Sequence, residues 1–388
     1  MFWLYNLLTL LSVPLFPLIK AKAAKRGEVH LLPRLNPGFK EARGKFLLHV
    51  ASVGEASSVR PLVEALKGEV AVTAFTDYGL ERVKKLYPNV PSRVLPLDFY
   101  PIVKRFLESA SPKGLLIYES EVWPSLLTAA ARLKVPTFFV SGKISERAFK
   151  RLKAFKGFLE PLFREVTFLA RWEEDAERAR QLGFKRVAVV GDLKLDYTPP
   201  KELPPFEAPG RTVVIWGSTH PGEEELAAKL HAALKGTVKN LLTVIAPRHV
   251  KRNVTLPGKT VKRSQTVKVP QNAEFYLVDT VGELAGLYGH AHLAIVGGSF
   301  TAKVGGHNPV EPVALKVATV TGQNAWAFKE VCRRLNVPTV SPEELTRLAK
   351  ELLTDHNFRE RQARDSFSRW ERERGVSRRI LKEIGWTR

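Results

Sequence analysis

Cysteine occurs once in this chain of 388 residues, at Cys332. One thiol can form neither an internal disulfide nor a cysteine-based zinc site, so stability has to come from packing. Negative charge is also scarce: 39 Asp and Glu stand against 61 Lys and Arg, a formal net charge of +22. Such an excess attracts polyanions, whether nucleic acid, an anionic membrane face or phosphorylated substrates. It is spread along the chain, with 32 basic and 20 acidic residues in 1–200 and 29 and 19 in 201–388, which excludes a basic tail or detachable arm. With 44% hydrophobic and 26% charged residues, wholesale disorder is excluded and two or three domains are expected.

Metal and nucleophile signatures are missing as well. No Asp-x-Asp pair and no His-Glu-x-x-His run occurs, which disfavours a metal-dependent mechanism, and no cofactor is expected. His290-Ala-His292 falls between a helix end and a strand and reads as structural. The chain has no Walker A loop and no Gly-x-Ser-x-Gly elbow, so P-loop phosphoryl transfer and α/β-hydrolase chemistry lose their usual support.

Charge is absent from Met1 to Ile19, after which Lys20, Lys22, Lys25 and Arg26 follow at once. Residues 1–25 therefore read as an apolar anchor with a basic collar. A run of this length just crosses a hydrocarbon layer of about 30 Å, with the collar on the cytoplasmic side. A secretory signal would carry its charges before the apolar run. Pro14 and Pro17 interrupt the segment, leaving open a span, a helix lying in the interface, or a buried helix of the folded body. Either membrane arrangement places the body at the cytoplasmic face, where anionic lipids account for part of the positive charge.

Beyond the anchor, short apolar runs alternate with amphipathic stretches. Strands are expected at Phe46–Val50, Val70–Ala74, Leu115–Tyr118, Thr137–Val140, Thr167–Ala170 and Val187–Val190, with helices at Glu55–Leu66, Gly79–Leu86, Glu121–Leu133 and Glu173–Leu182. This rhythm means βαβ units and a parallel sheet. Residues 197–210 then carry five prolines and read as a linker. A second series follows, with strands at Val213–Trp216, Leu241–Ala246, Glu274–Val278, Leu293–Val296 and Val317–Val320 and helices at Gly222–Leu234, Gly282–Tyr288 and Pro309–Leu315. The expected architecture is two Rossmann-like α/β domains, 26–196 and 211–354, with a helical tail over 355–388, and substrates meeting in a cleft between the carboxyl ends of the two sheets.

Several strand ends carry chemistry. The stretch Ala51–Ser58 joins a strand to a helix and offers an anion-receiving helix start or an ordinary tight turn; Glu55 in that first turn argues against a phosphate directly above it. In the second series, Gly297–Glu311 holds two glycine pairs, His307 and a helix start with Asn308 as cap, Pro309 in the first turn and Glu311 following. Gly305 and Gly306 would let the chain approach a ligand, the helix start would hold a phosphate, and Glu311 would bind ribose hydroxyls. Arg248 and His249 end one strand, Val281, Gly282 and Glu283 start a helix after another, and Trp216–His220 ends a third. Arg248 suits planar, bidentate contact with a phosphate or carboxylate.

Taken in order, these stretches resemble the 3-deoxy-D-manno-oct-2-ulosonic acid (Kdo) transferase family over almost the whole chain. The resemblance is carried by Arg26-Gly-Glu28, His49-Val-Ala-Ser-Val-Gly-Glu55, Glu119-Ser-Glu-Val-Trp-Pro124, Gly191-Asp-Leu-Lys-Leu-Asp196, Ser218-Thr-His-Pro-Gly-Glu223, Pro247-Arg-His249, Gly282-Glu-Leu284, Gly297-Gly-Ser299 and Gly305-Gly-His-Asn-Pro-Val-Glu311. It implies a GT-B fold and an inverting, metal-independent transfer of Kdo from CMP-Kdo to the lipid A precursor (lipid IVA). It also implies Glu28 as general base, and a CMP site at Pro247, Arg248, Val281, Gly282, Glu283, Asn308, Pro309, Val310 and Glu311. Val29–Arg34 departs from the basic, aromatic continuation of other members. Donor or acceptor contacts are further expected at Ser52, Gly54, Glu55, Arg60, Glu119, Lys194, Ser218, His249, Lys303 and His307, because a sugar carboxylate and lipid phosphates both call for polar and basic partners.

Two rivals remain. A GT-B enzyme acting on a UDP-sugar, such as a lipid A disaccharide synthase-like transferase or an epimerase, would prefer UDP to CMP. A basic nucleic-acid-binding protein fits the charge alone, but the dispersed charge, the anchor and the lack of a nucleic-acid motif count against it, and no nucleic-acid partner is expected.

Overall fold

The computed structural model describes residues 2–12 and 32–386. The chain divides into two compact units: Asp196 and the residues before it together with Gly375 onward, and Tyr197–Arg374. Each is built on a parallel sheet.

The first sheet comprises β1 (Phe46–Val50), β2 (Val70–Ala74), β3 (Ser92–Val94), β4 (Gly114–Tyr118), β5 (Thr137–Gly142), β6 (Val166–Ala170) and β7 (Arg186–Val189), in the order β3-β2-β1-β4-β5-β6-β7. Strands β1, β2 and β4 are buried along their whole length, as expected where helices cover both faces and each strand reads as an uninterrupted apolar run. The second comprises β8 (Thr212–Thr219), β9 (Leu241–Pro247), β10 (Thr260–Lys262), β11 (Phe275–Leu277), β12 (Leu293–Val296), β13 (Ala318–Gly322) and β14 (Thr339–Val340), in the order β10-β11-β9-β8-β12-β13-β14. In both units the order reverses beside the first strand, between β1 and β4 and between β8 and β12, which creates a crevice outside the carboxyl ends of those strands.

The expected strands are present, with differences that have local causes. The helix expected over Glu55–Leu66 is two, Val53–Ser58 and Arg60–Ala65, because Val59 sits at φ −81°, ψ 0° and Pro61 has no N–H to donate across the joint. Strand β3 is only three residues long, and the helices Glu146–Ala154 and Lys156–Phe163 were not anticipated; the first of them meets the core through a short stripe of half-buried residues, Ala148, Phe149 and Leu152. The proline-rich 197–210 stretch packs on the second unit, with Phe206 edge-on to Tyr276 at 5.3 Å and Glu207 bridged to Lys268. The tail 355–388 is not one element. Helix His356–Glu373 lies in the second unit, whereas helix Val376–Glu383 lies in the first. The Asp196 carboxylate secures that return by accepting the N–H groups of Gly375, Val376 and Ser377 at 2.6, 2.8 and 2.6 Å.

The described part of the expected anchor is an 11-residue helix, Phe2–Ser12, about 16 Å long at the α-helical rise and therefore half a membrane's hydrocarbon thickness. No described helix is long and apolar enough to cross a membrane; residues 13–25 lie outside the described residues. One side of this helix is docked. Tyr5 donates to Asp98 at 2.7 Å, and Asn6 accepts from the Tyr100 N–H at 2.7 Å and from the Ser125 hydroxyl at 3.2 Å. Trp3, Leu4, Leu7, Leu8, Leu10 and Leu11 are exposed.

Asp98 joins two elements, since its buried carboxylate also accepts the N–H groups of Ser125 and Leu126 at 3.0 and 2.8 Å, at the start of helix Pro124–Arg132. Asp98→Ala leaves three donors without an acceptor and is expected to cost about 2–4 kcal/mol, whereas Tyr5→Phe removes one bond and should cost about 1 kcal/mol. Thermal unfolding midpoints of the two variants check the ranking.

Candidate active site

In the first unit the crevice lies at the ends of β1 and β4. Ser52 caps helix Val53–Ser58, accepting the Glu55 N–H at 3.4 Å, and the Glu55 carboxyl reaches back to the Ala51 N–H at 2.7 Å and the Ser52 hydroxyl at 3.3 Å. The helix start that could have received an anion is thus filled by the protein's own side chain. Burial, with Glu119 and Glu121 close by, pushes the Glu55 carboxyl up to about 7 against its backbone bond to Ala51. Glu119 follows β4 at φ +58°, a left-handed conformation that costs a non-glycine residue about 1–3 kcal/mol and persists where surrounding structure imposes it. Its carboxylate lies 3.4 Å from the Lys194 ammonium. Ser52, Glu55, Glu119 and Lys194, expected from separate stretches, therefore belong to one polar edge.

Sequence reasoning had passed over other members of that edge. His49 is buried at the end of β1, with Nδ1 3.0 Å from the Thr73 hydroxyl and Nε2 3.1 Å from Glu121, which also accepts from the Trp123 indole at 3.3 Å. Lys143, beyond β5, has its ammonium pKa lowered, chiefly by burial. Lys143 was legible as a polar residue following a strand end, whereas His49 lies inside β1. Arg60 does not join them: it pairs with Glu64 at 2.7 Å on an exposed helix face. Gly54 is exposed, and a Cβ there would meet only the Ser52 hydroxyl, at 3.9 Å. Glu28 lies outside the described residues.

In the second unit, β8, β9 and β12 deliver the expected residues to one edge. Ser218, at φ +58°, sits where the β8–β9 register shifts. Arg248 and His249 follow β9 and are exposed, with the Arg248 N–H held by Thr219 O at 3.0 Å. The glycine loop after β12 departs from expectation. Its N–H groups are taken by Glu223, a carboxylate 1% exposed that accepts Gly298, Ser299, Phe300 and His220 N–H groups at 2.7, 3.1, 3.0 and 2.8 Å. Gly305 and Gly306 face Trp326 and Ala325, so their missing side chains serve internal packing. The cap position of helix Val310–Ala314 is Pro309 rather than the expected Asn308, which lies one residue earlier and accepts the Val310 N–H at 3.1 Å. Lys303 is exposed on the loop.

Glu311 lies below this edge, its carboxyl pushed up to about 7 by burial against the opposing pull of Arg248. After β11, Glu283 is committed to Arg263, at 2.5 Å, and to Thr280; the Arg263 bonds hold its pKa below the usual carboxylate range. The exposed Val281 and Gly282, the latter at φ +94°, are the solvent-facing part of that turn. His220 and His307 meet through their Nε2 atoms at 2.9 Å with ring planes 11° from parallel, and His249 stands edge-on to His220 at 6.1 Å. Such an edge, cationic and rich in imidazole, suits an anionic ligand.

Two parallel-sheet units with polar crevices at both reversals of strand order define a GT-B-type glycosyltransferase fold. The glycotransferase of kitacinnamycin shares it (TM-score 0.53, 14% identity, 88% of this chain and 99% of that one), as does the UDP-GlcNAc 2-epimerase of Neisseria meningitidis (TM-score 0.53, 12% identity, 88% and 100%). Residues 24–197 match the family described as 3-Deoxy-D-manno-octulosonic-acid transferase (kdotransferase). The 3-deoxy-D-manno-octulosonic acid transferase of Haemophilus influenzae is 31% identical over 363 residues, covering 86% of this chain and 85% of that protein. The chain belongs to this transferase family and is a glycosyltransferase.

Two measurements check the site's electrostatics. Glu223→Gln sets an amide NH2 against backbone donors and should loosen the loop by about 2–3 kcal/mol; amide exchange should quicken at Gly298–Phe300 while that of β1, β2 and β4 is unchanged. Glu55, protonated to about pH 7 when folded and to about 4.5 when unfolded, makes the native state bind more protons between those values. Stability contributed there falls as pH rises. Glu55→Gln should therefore flatten the fall in melting temperature between about pH 5 and 7.

Proposed function

We propose that this enzyme transfers Kdo from CMP-Kdo to the lipid A precursor lipid IVA, with inversion at the anomeric carbon and without a metal ion. The carrying observation is its 31% identity to a 3-deoxy-D-manno-octulosonic acid transferase over 86% of the chain; the cationic edge at Arg248, His249 and the 297–311 loop supports an anionic nucleotide donor. The structural neighbour linked to a UDP-sugar, the epimerase, is 12% identical and shares fold alone.

In this mechanism Glu28, matched through Arg26-Gly-Glu28, removes the proton of the acceptor hydroxyl as it attacks the anomeric carbon. The CMP phosphate leaves with its charge balanced by Arg248 and by backbone N–H groups around Val281 and Asn308, so no strong acid is needed. Pro247, Pro309, Val310 and Glu311 shape the nucleotide pocket. Lys194, Glu119 and Ser52 sit at the polar edge of the first unit and face the acceptor. We further place the enzyme at the cytoplasmic face of the bacterial inner membrane, with the exposed leucines and Trp3 of helix Phe2–Ser12 in the interface and anionic headgroups meeting the excess of Lys and Arg.

Incubation with CMP-Kdo and lipid IVA, read by mass spectrometry, should give a Kdo-bearing lipid. Glu28→Ala should retain CMP binding and lose about 10²–10⁴-fold in transfer; near-normal turnover removes Glu28 from the role, and stabilisation by UDP rather than CMP overturns the donor.

A further inference from the structure

The contact between His220 and His307 has a proton count that bears on anion binding. The two rings meet Nε2 to Nε2 at 2.9 Å, so one nitrogen donates and the other accepts. When both imidazoles are neutral, the pair holds two protons: one in the bridge and one on the Nδ1 of the accepting ring. The Nδ1 of the donating ring then presents a lone pair. A third proton leaves the bridge intact and makes both Nδ1 atoms donors. Neither Nδ1 has a protein hydrogen-bond partner among the described residues.

The surroundings hold the pair short of that third proton. Burial first, then Arg248, His220 and His249, push the His307 imidazole down to about 4. His220 is also lowered, by burial and by His249, Arg248 and Arg252, against the pull of Glu223. Glu223 cannot turn to the rings, because its oxygens hold four backbone N–H groups, and Glu224 is engaged by Arg252 and Thr219. Glu311, on the helix after the loop, is the remaining acid under Arg248's field. An anion seated against Arg248 would cancel one of the charges that, after burial, disfavour the third proton.

We propose that Arg248, His220 and His307 form one receptor for the phosphate of the nucleotide, in which the histidine pair takes up a proton as the phosphate binds. His220 is thereby assigned to ligand binding beside residues already expected there. The inference rests on the nucleotide-donor reading above, and the test separates the two. Binding of CMP to the full chain is measured by titration calorimetry between about pH 7 and 9, above the phosphate's own second pKa of about 6, in buffers of different ionisation enthalpy. Wild type should take up as much as one proton, with affinity weakening toward tenfold per pH unit, while any cytidine binding should show no uptake.

His220→Asn and His307→Asn should each lose the uptake and the slope, while His356→Asn, at an exposed histidine on helix His356–Glu373, keeps both. Proton-free, pH-independent CMP binding by wild type overturns the receptor and leaves the donor assignment standing; so does uptake that survives both pair substitutions. Binding of UDP in place of CMP, with uptake abolished by His307→Asn, overturns the donor assignment and keeps the receptor. Failure of both nucleotides to bind overturns both.

Discussion

The constraint on which the rest of this molecule depends is that the strands of each sheet run parallel. Parallel strands need a crossover between every pair, so all carboxyl ends gather on one edge and all amino ends on the other. Residues distant in sequence, such as Ser52, Glu119 and Lys194 in one unit or Ser218, Arg248 and His307 in the other, reach a common edge for that reason. At the two reversals of strand order the crossovers part, and the polar residues that end β1, β4, β8 and β12 are left facing a crevice. The left-handed conformations of Glu119 and Ser218 are strain located at these strand ends.

A second theme is the use of carboxylates inside the protein as permanent partners for backbone N–H groups. Asp98 seats helix Phe2–Ser12 against helix Pro124–Arg132, Asp196 holds the returning C-terminal helix, Glu55 accepts the Ala51 N–H just before its own helix and Glu223 fills the glycine loop. A buried carboxylate accepting two or more N–H groups offsets part of its desolvation and fixes loop geometry before a ligand arrives. Anion binding then falls to side chains at the rim, Arg248 and the histidines foremost. For a chain with 61 basic and 39 acidic residues this division matters, because several of the scarce acids are occupied internally and the surplus cations remain available at the edges.

Much of the fold was legible because strands covered on both faces are uninterrupted apolar runs, and these were bounded well at Phe46–Val50, Val70–Ala74 and Leu293–Val296. Elements that lack such a run were not. Strand β3 is too short to show periodicity, and helix Glu146–Ala154 sets just three half-buried apolar residues, Ala148, Phe149 and Leu152, on the core. The joint at Val59 and Pro61 shows the opposite failure, a continuous amphipathic pattern that the missing proline N–H divides. Of the expected site, the strand-end residues were found because topology alone delivers them, and His49 was missed because a histidine inside a strand gives no outward sign of the glutamate it will hold.

By itself, the sequence determined two α/β units, the stretch that joins them and the family to which they belong, since these follow from local periodicity, proline content and motifs in register. Tertiary structure decided which N–H groups are free. Glu223 meets Gly298 across 75 residues, and His220 meets His307 across 87. No local pattern encodes such meetings. A hydrogen bond depends on two groups arriving within about 3 Å of each other, and only the packed sheets set that distance.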